Sequence, residues 1–265
     1  MHDKINPLPQ NIIISGASSG IGQALALEYA SSGITLGLIG RNSERLKHAS
    51  KLCKEKGATV VSLSHDIKEH SVIESWVKDF NSKHPVDLVV SNAGISGGTG
   101  RDGQIETLDD IKEIYDVNVM AAIFFGQCLY EDMKQRGHGQ IAFTGSIAGF
   151  RGWAGAPAYT SSKSAIHTYA ESLRMLGSKH NIKVNIIAPG FVESRMTDQN
   201  EFPMPFKLTS TQAAKIIKRG LEKNKRYIIF PFRMHILSLF SRCLPEIAIN
   251  FIASKMRGKS EIKLK

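Results

Sequence analysis

Residues 11–22 read NIIISGASSGIG. Three isoleucines between Asn11 and Ser15 form an apolar run of strand length. That run passes without a linker into Gly16, and residues 20–32 then follow a helical pattern. Glycine at 16, 20 and 22 lets the backbone turn tightly and come close to a ligand. The N-terminus of the following helix offers free N–H groups to an anion. A strand, a GxxxGxG turn and a helix in this order suit a dinucleotide pyrophosphate. Gly16, Ser18, Ser19, Gly20, Ile21 and Gly22 are therefore the first candidate binding residues.

The rest of the chain repeats the alternation. Strands are predicted at 11–15, 35–39, 59–63, 86–90, 140–143, 183–187 and 227–230. Helices are predicted at 20–32, 43–56 with Ser43 as N-cap, 70–84, 108–136 interrupted near Asn118, 159–178 and 209–221. Strands apolar throughout and alternating with helices imply a parallel sheet covered on both faces. With right-handed crossovers this is an α/β fold, a single Rossmann-type doubly wound parallel sheet with a C-terminal helical appendage. We expect one catalytic domain over residues 1–230 and a basic amphipathic tail over 231–265 that is not a domain of its own.

Composition narrows the class. The chain has 265 residues, 42% hydrophobic and 22% charged, which excludes a disordered chain. Its three cysteines, Cys53, Cys128 and Cys243, are far apart and fit a reducing compartment rather than a disulfide scaffold. Residues 1–10 are not expected to be a signal peptide, and no apolar run is long enough to span a bilayer.

The second predicted strand ends Leu38-Ile39-Gly40-Arg41. A ribose 2′-hydroxyl usually meets a carboxylate at this place, and Gly40 supplies none. A 2′-phosphate prefers a guanidinium, and Arg41 is placed to be one, which favours NADP(H) over NAD(H).

These pieces line up with further motifs. Ser15–Gly22 resembles the TGxxxGIG loop of the classical short-chain dehydrogenase/reductase family, with Ser in the Thr place. Asp66, followed by Ile67, resembles the acid that meets the adenine ring. Ser91, Asn92, Ala93 and Gly94 resemble the family's NNAG turn. Asn118, Ser146, Tyr159 and Lys163 match its catalytic tetrad. Pro189, Gly190, Val192 and Ser194 resemble PGxVxT. The resemblance spans residues 11–230 and rests on seven motifs in the right order and spacing.

It implies an NADP-dependent oxidoreductase that reduces a carbonyl to an alcohol. Tyr159 and Lys163, four apart, share a helix face. A free tyrosine titrates near about 10, and a neighbouring ammonium lowers that value. The resemblance makes Tyr159 the general acid/base and Ser146 the group that orients the carbonyl oxygen. Lys163 would also hold the nicotinamide ribose, Asn118 would fix a water linking Lys163 to solvent, and Ser194 would meet the carboxamide end. The rival reading is a non-catalytic NADPH-binding protein on a membrane or partner. No metal is required.

The tail carries ten basic residues against two acidic ones from 223 to 265, a net +8, while residues 1–222 carry only +2. Apolar stripes at Ile236, Leu237, Leu239, Phe240 and Leu244, and again at Ile247, Ile249, Phe251, Ile252 and Met256, have basic neighbours. The tail either caps the substrate cleft or lies on a membrane surface. Either way the substrate is expected to be apolar or lipid-like, with residues 201–206 forming part of the pocket wall. We expect a cytoplasmic protein, peripheral at the membrane surface or not. By resemblance it is a homodimer or homotetramer through the helices at 108–136 and 159–178. The pI of 9.5 alone would suggest nucleic acid. The chain lacks aromatic–basic interleaving and a reading helix, so nucleic-acid binding is not expected.

Overall fold

A computed structural model describes residues 9–99, 104–198, 203–234 and 236. Isoleucines 12, 13 and 14 are all fully buried, and they alternate between two cores. Ile12 and Ile14 join the side chains of one face, Ile13 those of the other. Strand β1 (Asn11–Ser15) is therefore covered on both sides, as its unbroken apolar run requires.

Around it lie β2 (Thr35–Ile39), β3 (Thr59–Leu63), β4 (Leu88–Ser91), β5 (Gly139–Thr144), β6 (Ile182–Pro189) and β7 (Tyr227–Phe230). All pair in parallel in the order β3-β2-β1-β4-β5-β6-β7. One face is covered by α1 (Gly20–Tyr29), α2 (Ser43–Glu55) and a late helix of residues 210–222. The other is covered by α3 (His70–Lys83) and by segments between 122 and 178. The order reverses between β1 and β4, and ligands of open α/β sheets bind at the carboxyl ends of strands beside such a reversal.

The predicted strands 11–15, 35–39, 59–63 and 227–230 have the observed bounds. The fourth strand starts two residues later than expected and runs to Ser91. The edge strand β3 is not apolar on both sides, because its outer edge and much of its surface face solvent. Helix α1 stops at Tyr29 rather than at residue 32. The N-cap of α2 is Asn42, not Ser43: its side-chain oxygen accepts Arg45 N–H at 2.9 Å, and Ser43 is the first helical residue.

The helical segment over 108–136 is interrupted, and in more than one place. It comprises α4 (Leu108–Tyr115), a π turn (Asp116–Ala121), α5 (Ala122–Gln127) and α6 (Tyr130–Arg136). The interruption falls on Asn118, where it was expected. The helix carrying Tyr159 begins earlier than expected: α7 (Pro157–Ser178) places a proline in its first turn, where a missing N–H costs nothing. A short α8 (Arg195–Asp198) precedes α9 (Ser210–Glu222), which Thr209 and Gln212 open with a reciprocal capping box. Residues 1–8, the glycines at 100 and 103, Glu201 and Phe202 of the expected pocket wall, and the tail from 237 with Cys243 lie outside the described residues.

Candidate active site

The phosphate loop is built by exclusion. Gly16 has φ +67°, and a Cβ there would sit 2.9 Å from Ala93 Cα. A Cβ on Gly22 would approach Gly16 O to 2.3 Å. Only hydrogen fits at either place. Ser15, where the family motif has Thr, keeps the motif's function of tying two strands together. Its hydroxyl oxygen accepts Asn92 N–H at 3.0 Å and Ala93 N–H at 3.1 Å.

The loop opens towards solvent at the first turn of α1. Ser19 is the N-cap, its side chain makes no cap bond, and no acid stands in that turn. The turn borders a cavity of about 680 Å³ lined by Ser18, Ser19, Gly20 and Ser194, with Arg45 and Arg195 at its sides. Arg45 is held below the ordinary arginine range by partial desolvation and then by the neighbouring Arg195 and Arg41 guanidiniums. Three guanidiniums therefore share this end of the sheet, with the carboxylates of Glu44, Glu193 and Asp198 also on the cavity wall. Neither Arg45 nor Arg195 was singled out from sequence.

Arg41 itself is largely exposed, 3.9 Å from Asp66. The two residues expected at the adenosine end thus come together. Asp66 also accepts Lys68 N–H at 3.0 Å. Ile67 and Val192 are buried and act as wall rather than as polar contacts. Ser194 N–H donates to Thr197 at 2.9 Å, and the Ser194 side chain faces Gly20, beside the phosphate loop. Gly190 N–H donates to Phe230 O at 2.7 Å, holding the Pro189–Gly190 turn against β7.

The four tetrad candidates converge. Ser146 follows β5 and caps the 3-10 turn Ile147–Phe150, accepting Ala148 N–H at 3.1 Å. A hydrogen bond joins its hydroxyl to that of Tyr159. Lys163 is 4% exposed; its ammonium donates to Thr144 O at 2.9 Å and lies 5.8 Å from the Tyr159 ring centroid. Asn118 is 1% exposed. Its oxygen accepts Ile95 N–H at 2.8 Å, and its amide donates to Ile95 O at 2.9 Å and to Ser162 at 3.2 Å. The absent side chain of Gly94 leaves room between Asn118 and Lys163.

One electrostatic expectation is corrected. In the chain itself Tyr159 lies above, not below, the ordinary tyrosine value. Burial pushes it up, and the Ser146 hydrogen bond opposes that. Four-residue spacing places the ammonium on the right face but says nothing of the depth of the phenol.

The loop before α4 holds this helix in place. The Glu106 carboxylate accepts Ala158 N–H at 2.8 Å, and Thr99 N–H donates to Gly155 O at 3.2 Å. Sequence reading missed Glu106, Thr144 and Ser162, whose partners come together only on folding. Among the described residues no group of histidines, cysteines or acids could hold a metal, and no helix is long and apolar enough to cross a membrane.

Comparison with known proteins gives the family. A family profile described as short chain dehydrogenase matches residues 10–203. An uncharacterized oxidoreductase of Myxococcus xanthus is 30% identical over 246 residues, covering 92% of this chain and 96% of that one. A 3-ketodihydrosphingosine reductase of Bos taurus is 29% identical over 232 residues, 81% of this chain and 69% of that one. The solved short-chain dehydrogenase from Sphingobium yanoikuyae in complex with NADPH superposes with a TM-score of 0.77 at 21% identity, covering 96% of this chain and 99% of that one. The chain belongs to the short chain dehydrogenase family and is an oxidoreductase built on a Rossmann-type nucleotide-binding sheet.

Proposed function

We propose that the protein is an NADP-dependent reductase that converts an apolar, lipid-like ketone or aldehyde to an alcohol. The observation that carries this is the convergence of Ser146, Tyr159 and Lys163 beside a phosphate loop into which a Cβ cannot fit. The uncapped first turn of α1 and the guanidiniums of Arg41, Arg45 and Arg195 suit a phosphorylated dinucleotide. Gly16, Ser18–Gly22, Asn92–Gly94, Asp66, Pro189, Gly190 and Ser194 would line its length. A bound nicotinamide dinucleotide supplies the hydride.

The chain's own residues manage the proton and the geometry. The Ser146 hydroxyl hydrogen-bonds the carbonyl oxygen and orients it. Tyr159 donates its proton to that oxygen as negative charge develops there. Lys163, anchored on Thr144 O, holds a positive charge beside the phenol and would hold the ribose hydroxyls of the bound dinucleotide. Both Asn118 amide hydrogens are committed to Ile95 and Ser162, so a water linking Lys163 to solvent would be held by an oxygen acceptor of Asn118.

The substrate class is drawn from two features. Phe206, Phe232 and Ile236 are exposed together near the end of β7, with the Arg233 guanidinium 5.3 Å from the Phe206 ring. Several relatives carry names for long-chain or steroid ketone chemistry, including the bovine 3-ketodihydrosphingosine reductase and an 11-beta-hydroxysteroid dehydrogenase of Arabidopsis thaliana. The test is NADPH consumption with a panel of ketones from short to lipid-like, run beside NADH. Arg41→Ala should reduce the preference for NADPH over NADH by roughly tenfold or more, the loss of a charge-assisted phosphate contact. An unchanged preference would remove Arg41 from the 2′-phosphate site.

The tail over 231–265, as an appendage of the 1–230 catalytic domain, would either cap the cleft or lie on an anionic lipid surface, and vesicle binding distinguishes the two. The net +8 charge of residues 223–265 should make vesicle binding depend on anionic lipid and fall with salt. Equal sedimentation with neutral and anionic vesicles at low salt would contradict this. Exposed Met120, Met175 and Leu176 support a homodimer or homotetramer, which light scattering reads directly. The free thiols of Cys53 and Cys128 fit the reducing, cytoplasmic compartment expected from the sparse cysteines.

A further inference from the structure

His167 lies one helical turn beyond Lys163 on α7 and is 4% exposed. Its Nε2 accepts the backbone N–H of Ser146 at 3.4 Å. An accepting Nε2 puts the ring proton on Nδ1, so the imidazole is neutral. The ring packs against Phe150, 4.8 Å between centroids, and meets the edge of Tyr227 at 5.5 Å.

Two glycines make room for it. A Cβ on Gly145 would lie 2.2 Å from Nε2, and one on Gly149 would lie 2.8 Å from Cε1. Both glycines flank the Ser146 turn. The turn therefore rests directly on the imidazole, with no side chain between them.

A buried imidazole is an expensive filler for such a space, since leucine would carry no polar atoms to satisfy. The charges around it are asymmetric. From α7, Lys163 opposes protonation and Glu171 favours it. From β7, Tyr227 donates to Glu171 at 2.8 Å, and the adjacent Arg226 pairs with the same carboxylate. Glu171 is thus already engaged, while burial and Lys163 push His167 down to about 4. The acceptor form is the one populated at neutral pH.

We propose that His167 is a positioning residue for the reduction. Its neutral imidazole accepts the Ser146 amide and so holds the Ser146 hydroxyl on the Tyr159 hydroxyl. This rests on the roles given above to Ser146 and Tyr159.

The test compares His167→Leu, His167→Gln, Ser146→Ala and the double variant Ser146→Ala/His167→Leu. Each is assayed with NADPH and the best ketone of the panel for kcat, KM and NADPH affinity. The reverse alcohol oxidation is followed against pH. His167→Leu should lower kcat roughly ten- to hundredfold through a displaced Ser146, with NADPH affinity within about twofold. His167→Gln, which keeps an acceptor, should recover most of the loss. The rise of alcohol oxidation with pH should move to higher pH in His167→Leu, because Tyr159 loses the hydrogen bond that lowers it. The double variant should be no slower than Ser146→Ala, since both changes act on one interaction.

Losses that multiply in the double variant would overturn the proposal. So would a His167→Leu enzyme with parental kcat beside an impaired Ser146→Ala. A parallel fall of kcat and NADPH affinity in both His167 variants would mean general disruption and would overturn it too. Should the leucine variant not fold, His167→Asn, whose shorter acceptor stops short of Ser146, carries the same comparison. An unimpaired Ser146→Ala would instead refute the underlying reading of the site.

Discussion

Replacing Tyr159 by phenylalanine is expected to lower kcat by roughly a thousandfold while NADPH affinity stays within about twofold. The phenylalanine ring fills the same space at the start of α7, so the phosphate loop and the Lys163 anchor on Thr144 should not move. What is lost is one proton donor and one hydrogen bond to Ser146. The sign of the shift suits the reductive direction. A tyrosine raised above its ordinary value by burial is protonated throughout the neutral range and ready to give a proton to the carbonyl oxygen. The reverse oxidation needs the phenolate. Its rate should therefore climb with pH into the alkaline range, where reduction begins to fall. Steady-state rates in both directions, with cofactor binding followed by fluorescence, check this. A phenylalanine variant with more than about a tenth of the parental kcat would remove Tyr159 from the proton path.

Lys163→Met should be the next most damaging change, with a fall in kcat of roughly a hundredfold or more. Methionine keeps the unbranched stem inside α7 but removes the ammonium 5.8 Å from the Tyr159 ring centroid and the donor to Thr144 O. A phenolate beside no cation is harder to form, so the alkaline rise of alcohol oxidation should move to still higher pH. NADPH affinity should fall as well, unlike in Tyr159→Phe, if the lysine also holds the ribose as proposed. Folding stability should hold, since a buried ammonium is costly and an apolar side chain of similar shape is tolerated there. The same change should let His167 titrate higher, because Lys163 is one of the groups that keep it low. Parental kcat in a folded Lys163→Met protein would contradict the assignment.

The legible and illegible parts of this chain divide along physical lines. Strands 11–15, 35–39 and 227–230 could be bounded at their C-terminal ends because the apolar runs stop at Gly16, Gly40 and Pro231. The phosphate loop was legible because glycine is demanded there by clashes, and Gly16 and Gly22 meet those clashes. Asn42 and Ser43 are both good caps and adjacent in sequence, so local chemistry alone could not choose between them. In the Asn118 segment the sequence located the interruption but not its π-turn form or the second break after Gln127, and the hydrogen bonds from Asn118 to Ile95 and Ser162 belong to tertiary structure. Those partners stand 23 and 44 residues away. Depth was the quantity most out of reach. The spacing of Tyr159 and Lys163 defines a shared face, but the raised proton affinity of Tyr159 comes from the residues that close over it. His167 was passed over for the same reason, since its partner amide lies 21 residues earlier across a turn. Gly145 and Gly149, one on each side of the Ser146 turn, were the available hint.

Hydride transfer to a carbonyl carbon at the Tyr159 site is read by isotope transfer. The full chain is incubated with NADPH carrying deuterium at the transferable C4 position and a lipid-like ketone, and the product is examined by mass spectrometry. The expected product is an alcohol with one deuterium on the former carbonyl carbon, formed faster with NADPH than with NADH and lost in Tyr159→Phe. Tight NADPH binding with no deuterated alcohol from any ketone of the panel would contradict it and leave a nucleotide-binding protein without this chemistry.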